Sequence, residues 1–372
     1  MARSKPNIPT FAPYVSRSAI KYAAKTLSGA YIGQGPLVKK FEQNFAGVVG
    51  AKNPLAVNSG TSALYLALAL IGLGPGDEVI TTAQTFIATS HVILALGAKP
   101  VFADVKYLSG NLDPADIEHR ITSRTKAIMP VHWAGYPCDL DEINKIARKH
   151  NIAVVEDAAQ ALGASYKDSP IGAISDYTCF SFQAIKQITT VDGGMLCLGS
   201  LKVYQQAKRR RWFGIDREKR KPTILGEPKW DVSEIGYKFH MNDVAASLGI
   251  KHLEEFPRIY GRLGKIANSY RRSLSKIPGI TLFEDSPDKK SGHWVFCLHV
   301  QRRPDFIKML KSKGVMASVV HLRIDSNSIF GGLRLDLPNL ERFTKTMVCL
   351  PLYFKLKDSD LSYIIRCIKQ GW

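Results

Sequence analysis

"PLAVNSGTSALYLALALIGLGPGDEVITTA" runs from Pro54 to Ala83 and decides the fold. "PLAVN" is a short apolar run of strand length, "TSALYLALALIG" reads as a helix closed by Gly72, and "DEVITTA" is a β-branched strand. The alternation continues outward. "TFIATSHVILALG" is a helix ending at Gly97, followed by the strand "KPVFADV", the helix "DPADIEHRI" and the strand "KAIMPVHW". The helix "DLDEINKIARKHN" and the strands "IAVVEDAA", "DYTCFSFQ" and "GGMLCLGS" complete the series to about Leu198. Strand and helix in turn predict an α/β fold, a mainly parallel central sheet covered by helices on both faces. Ligands of such sheets bind beyond the carboxyl ends of the strands.

After Gly249 the pattern changes. "KHLEEFPRIYGRLGKIANSYRRSLSKI" reads as one long helix, and the remainder as a smaller α+β unit. The expected division is a large domain over residues 1–250 and a small C-terminal domain over 251–372.

The 372 residues, 45% hydrophobic and 22% charged, are ordinary globular composition with room for about two domains. No apolar run approaches the roughly 20 residues of a membrane span. The opening "MARSKPNIPTFAPY" has no apolar signal core, so a soluble, cytoplasmic protein is expected. The six cysteines have no metal-ligand spacing and read as buried free thiols, and no metal is expected. A net charge of +19 raises a nucleic-acid-binding alternative, with one dense cluster in "KRRRWFGIDREKRK", Lys208 to Lys221. No zinc-finger, basic-zipper or aromatic RNA-binding motif accompanies it. A small anionic ligand would use such a cluster equally well.

The strand ends carry the chemistry. In "NSGTSAL", Gly60 permits close backbone approach, and Thr61 and Ser62 bring hydroxyls to a helix N-terminus, a ready cradle for phosphate. "AVVEDAAQA" ends in Glu156, Asp157 and Gln160, and a carboxylate there needs a cationic partner. "CFSFQAIK" adds Ser181 and, shortly after the strand, Lys186. A cofactor with a phosphate, a pyridinium nitrogen and an aldehyde would use all three places, and pyridoxal 5'-phosphate is that cofactor.

Six segments in order, "YIGQGPLVKKFEQNFA", "AVNSGTSALYLALALIGLGPGDEVIT", "TFIATSHVILALGAKPVFADV", "VVEDAAQALGA", "CFSFQAIKQITTVDGGM" and "GYKFHMNDVAASLG", resemble the DegT/StrS family of pyridoxal-phosphate-dependent sugar-nucleotide aminotransferases. The resemblance covers essentially the whole chain. It implies an aspartate-aminotransferase-type fold and a homodimer whose active sites lie at the subunit interface. It also implies that Lys186 is the Schiff-base lysine, Asp157 the partner of the ring nitrogen and Gln160 the contact to the ring hydroxyl. Gly60, Thr61 and Ser181 match phosphate-binding positions, with Ser62 beside them, and Phe86 matches the aromatic stacked on the ring. Asn242 resembles the asparagine that reaches the phosphate from the neighbouring subunit.

Lysine at position 186, where a dehydrating branch of the family has histidine, favours transamination. His240 stands where members often carry arginine, a departure that bears on contacts to the sugar or diphosphate. The family pattern also brings His132 near the site and His321 toward the substrate. The expected reaction moves an amino group from L-glutamate to a nucleotide-linked keto sugar, a 4-keto-6-deoxy sugar by similarity of wording. Arg209, Arg210 and Arg211 are then candidates for its diphosphate. A keto-cyclitol acceptor is the alternative within the same chemistry.

Overall fold

The computed structural model describes residues 6–219 and 221–372. Seven strands form the central sheet: β1 Pro54–Val57, β2 Glu78–Thr82, β3 Lys99–Ala103, β4 Thr125–Met129, β5 Ala153–Asp157, β6 Tyr177–Ser181 and β7 Gly194–Leu198. Their spatial order is β1-β7-β6-β5-β4-β2-β3. From β3 to β6 all neighbours are parallel, and β7 runs antiparallel to both β6 and β1. This is the mainly parallel α/β architecture expected.

Among the described residues up to 210, seven helices precede, interleave or follow the strands: α1 Arg17–Leu27, α2 Pro36–Val49, α3 Gly60–Leu70, α4 Ala88–Ala95, α5 Pro114–Arg120, α6 Leu140–His150 and α7 Leu201–Arg210. α3 starts because Ser59 is extended and its Oγ accepts the Ser62 N–H at 3.0 Å. It stops where Gly72 takes a positive φ of 73°. α3 is apolar nearly all round because it packs against β5, β6 and β7 on the covered face of the sheet.

The long helix α8 spans Asp243–Leu274, 32 residues or about 48 Å. It therefore begins seven residues before position 250 (243 against 250), and the expected domain boundary falls inside it. Asn242 caps it, and Gly249 is part of its packing surface: a Cβ there would lie 2.5 Å from the Phe41 ring of α2. Beyond α8, the strands β8 Ile280–Leu282, β9 Phe296–Val300 and β10 Met347–Leu350 form an antiparallel sheet. The helices α9 Arg303–Ser312, α10 Pro338–Thr346 and α11 Asp358–Lys369 accompany it. The start of the chain joins this part, with Ile8 bridging Val315. All six cysteines are free and buried, as expected. Among the described residues no helix is long and apolar enough to cross a membrane.

Candidate active site

Four chain segments meet beyond the carboxyl ends of the parallel strands. They are the turn from β1 into α3, the loop from β2 into α4, the end of β5, and the stretch from Ser181 to Gly193 after β6. Together with Trp294 and His321 from beyond α8 they enclose a cavity of about 270 Å³. Lys186, Asp157, Gly60, Thr61, Phe86, Gln160, Ser181 and His321, all singled out in the sequence, line it.

Consecutive residues of a strand point to opposite faces, which separates Glu156 from Asp157. Asp157 turns to the cavity, 5% exposed. Burial raises its carboxyl pKa. The Thr89 hydroxyl at 2.8 Å, the Ala159 N–H at 3.1 Å and the charge of Lys186 pull the other way. Lys186, half-buried, brings an amine to the cavity wall. Desolvation pushes that amine down to about 8 against the pull of Asp157. The amine lies 4.2 Å from the centroid of the Trp294 ring, and Trp294 Nε1 donates to the Ile185 carbonyl at 3.0 Å. Gln160 is fixed by accepting the Ala134 N–H at 2.7 Å. Phe86 is exposed at the mouth, its ring 5.3 Å from that of His321. Burial and the Lys186 charge hold His321 down to about 4, so its imidazole is neutral.

The turn into α3 has the form of an anion cradle. The Gly60 and Thr61 amides belong to the first helical turn, where no helical carbonyl precedes them. Gly60 is required there, since a Cβ would sit 2.8 Å from Ser181 Cβ. Ser62 does not line the cavity. Its N–H and hydroxyl are committed to Ser59 Oγ and, at 2.6 Å, Asn58 Oδ1, so its part is to hold the turn.

Other expected residues do not line this cavity. His132 is wholly buried: Nδ1 accepts the Cys138 N–H at 3.0 Å, which puts the ring proton on Nε2, 2.7 Å from Glu156 Oε2. It is a satisfied histidine beneath the sheet end and does not touch the cavity. Asn242 spends its side-chain oxygen on the Ala245 N–H at 2.8 Å, and it too is absent from the cavity wall.

The arginines are likewise occupied. Glu234 takes Arg209 Nε at 2.7 Å and Arg210 Nε at 3.0 Å, and Arg210 also donates to the Ala69 carbonyl. Arg211 is buried against Glu42, at 2.7 Å, and the Ala56 carbonyl, at 2.8 Å. His240 packs edge-on against Trp212 at 4.0 Å, and burial with the charges of Arg211, Lys238 and Arg217 lowers it to about 4. Arg209, Arg211 and Trp212 border a separate cavity of about 360 Å³, together with Lys208, Arg217 and Tyr31. Arg220, within the basic cluster, lies outside the described residues.

Trp294 and Thr89 are among the wall residues that were not singled out in the sequence. Trp294 comes from β-rich sequence over a hundred residues from Lys186, with no local signal to join them. Thr89 stands four residues after Thr85, a spacing that puts both hydroxyls on one side of a helix start.

The donor set fits pyridoxal phosphate: a desolvated amine, a buried carboxylate and a glycine cradle with free amides share one cavity. Residues 13–369 match the DegT/DnrJ/EryC1/StrS aminotransferase family model. The chain is 36% identical to the spore coat polysaccharide biosynthesis protein SpsC of Bacillus subtilis, over 97% of this chain and 96% of that protein. It superposes on the sugar aminotransferase CalS13 of Micromonospora echinospora with a TM-score of 0.93 at 33% identity, covering 98% of this chain and 100% of that one. The PLP form of the putative sugar aminotransferase Spr1654 of Streptococcus pneumoniae gives 0.91 at 29%, covering 98% and 98%. The chain belongs to the DegT/DnrJ/EryC1/StrS family and is a pyridoxal-phosphate-dependent sugar aminotransferase.

Proposed function

We propose that this family member transfers an amino group from L-glutamate to a nucleotide-linked keto sugar, a 4-keto-6-deoxy sugar, with the cofactor attached at Lys186. The observation that carries the reading is the shared cavity of Lys186 and Asp157, with the lysine amine lowered to about 8. At pH 7.5 about a quarter of such an amine is neutral and nucleophilic, against about a thousandth for an ordinary lysine.

Each side chain has a task in this account. The bound cofactor supplies an electrophilic aldehyde and a ring able to take up the electrons of a deprotonated carbon. Asp157 keeps the ring nitrogen protonated. The Gly60 and Thr61 amides and Ser181 hold the phosphate, Phe86 covers the ring and Gln160 orients its hydroxyl. The Lys186 amine would move a proton at the substrate carbon, as general base and then as general acid. Trp294 and His321 limit water on the substrate side, and neutral His321 is a hydrogen-bonding group for the sugar.

A homodimer with shared active sites forms part of the same proposal. Tyr31, Ile32, Ile224, Leu225, Trp230 and Ile235 are exposed apolar side chains. Tyr31 also borders the basic cavity, none of whose wall residues line the lysine cavity. A second copy lying on this surface would bring Lys208, Arg209 and Arg217 toward a substrate diphosphate. The relative SpsC, named for spore coat polysaccharide biosynthesis, favours an amino-sugar product destined for a polysaccharide.

The test is a visible spectrum of the purified holoenzyme during two additions. L-glutamate should abolish the band of the lysine-bound cofactor, and one member of a panel of keto-sugar nucleotides should restore it. Restoration by a keto-cyclitol instead would move the acceptor to that class. Light scattering should give twice the chain mass.

A further inference from the structure

Asp157 is held by a chain of hydroxyls that the reaction account leaves unused. Thr89, on α4, donates through Oγ1 to Asp157 Oδ2 at 2.8 Å, and the Ala159 N–H meets Oδ1 at 3.1 Å, so each carboxylate oxygen has one donor. Thr85 Oγ1 lies 2.7 Å from Thr89 Oγ1. Because the Thr89 proton is committed to the carboxylate, Thr85 must be the donor of that second bond. Both threonines are 1% exposed and both border the cavity. A hydroxyl that accepts one hydrogen bond is a stronger donor in the next, and in a buried site the effect is largest.

We propose that Thr89, polarised by Thr85, is a positioning residue that keeps Asp157 ionised and aimed at the cofactor's ring nitrogen. This rests on the reading of Asp157 as the ring partner. Asp157 needs such help because burial favours its neutral acid. The titratable groups facing it are Lys186, on the segment after β6, His132, after β4, and the Cys179 thiol on β6. Lys186 must lose its charge to react, and the His132 ring is directed at Glu156. The hydroxyl pair is present in every protonation state. A proton shared between the carboxylate and the ring nitrogen then stays on nitrogen.

The experiment loads the enzyme with cofactor labelled with ¹⁵N in the ring and records its nitrogen signal at pH 7.5. Thr89→Val, isosteric but without the donor, should move the signal from the pyridinium toward the neutral-pyridine position. It should also slow the L-glutamate half-reaction about tenfold, the effect of one pKa unit. Thr89→Ser should return both to near wild type, and Thr85→Val should shift the signal less, in the same direction. Asp157→Asn is the control for the underlying reading: if it leaves the signal unmoved, Asp157 is not the ring partner and the inference falls with it. If Asp157→Asn moves the signal and Thr89→Val does not, the inference alone is overturned. Should Thr89→Val fail to fold, Thr85→Val decides: an unmoved signal overturns the inference.

Discussion

The amine of Lys186 faces the indole of Trp294 at 4.2 Å, while the indole N–H is tied to the carbonyl of Ile185, the residue before the lysine. One tryptophan thus fixes both the backbone and the charged end of the candidate catalytic residue. A cation over an indole face gains about 0.5–2 kcal/mol, or up to about 1.5 pKa units. Trp294→Leu should therefore lower the Lys186 pKa further and move the acid limb of the glutamate half-reaction to lower pH, with Trp294→Phe in between. An unmoved limb in Trp294→Leu would mean the indole acts only as a wall.

Lowering the pKa of that lysine has a stability consequence. Its pKa of about 8 lies below the ordinary 10.5, so the unfolded chain binds more protons between those pH values and apoenzyme stability rises as pH climbs through that window. Below pH 8 the penalty is constant, about 3 kcal/mol at full shift and about 1–3 kcal/mol allowing for solvent in the cavity. Lys186→Met should raise the apoenzyme Tm at pH 7, and the advantage should vanish above pH 10. A variant no more stable than wild type at pH 7 would contradict the buried amine.

Arg211 and Glu42 form a buried pair, and its arginine holds the Ala56 carbonyl at the end of β1. Removing one partner of such a pair costs about 3–5 kcal/mol. Arg211→Met should show that loss in urea unfolding. A stable Arg211→Met with a raised KM for the sugar would return Arg211 to the substrate.

Gly60 touches Ser181 closely enough that a single methyl group has no room. Gly60→Ala should push Ser181 or the first turn of α3 aside, at about 1–3 kcal/mol. Affinity for pyridoxal phosphate, read by fluorescence titration, should fall at least about tenfold. Unchanged affinity would place the phosphate elsewhere.

The large sheet was legible because each βα unit carries its own punctuation, Ser59 at one end of α3 and Gly72 at the other. Asp157 stands out in the linear sequence as a charged residue ending an apolar strand, and Lys186 as the one lysine between two apolar strands. Ser62 was not separable from Ser59 and Thr61, since which hydroxyl caps and which faces the cavity depends on the turn's dihedrals. That Arg209 and Arg210 share Glu234, and that Arg211 is buried against Glu42 and the Ala56 carbonyl, was not legible, because these partners are distant in sequence. α8 starts before the helix read from Lys251, at Asn242, whose side-chain oxygen accepts the Ala245 N–H. Trp294 and Thr89 became visible only when tertiary contacts brought them to Lys186 and Asp157.

The central claim is that Lys186 carries the cofactor. Borohydride reduction of the holoenzyme, proteolysis and mass spectrometry address it directly. The account predicts that the phosphopyridoxyl mass is found on the peptide containing Lys186 and is absent from Lys186→Ala. The same mass on another lysine, or an undiminished label in Lys186→Ala, would contradict it.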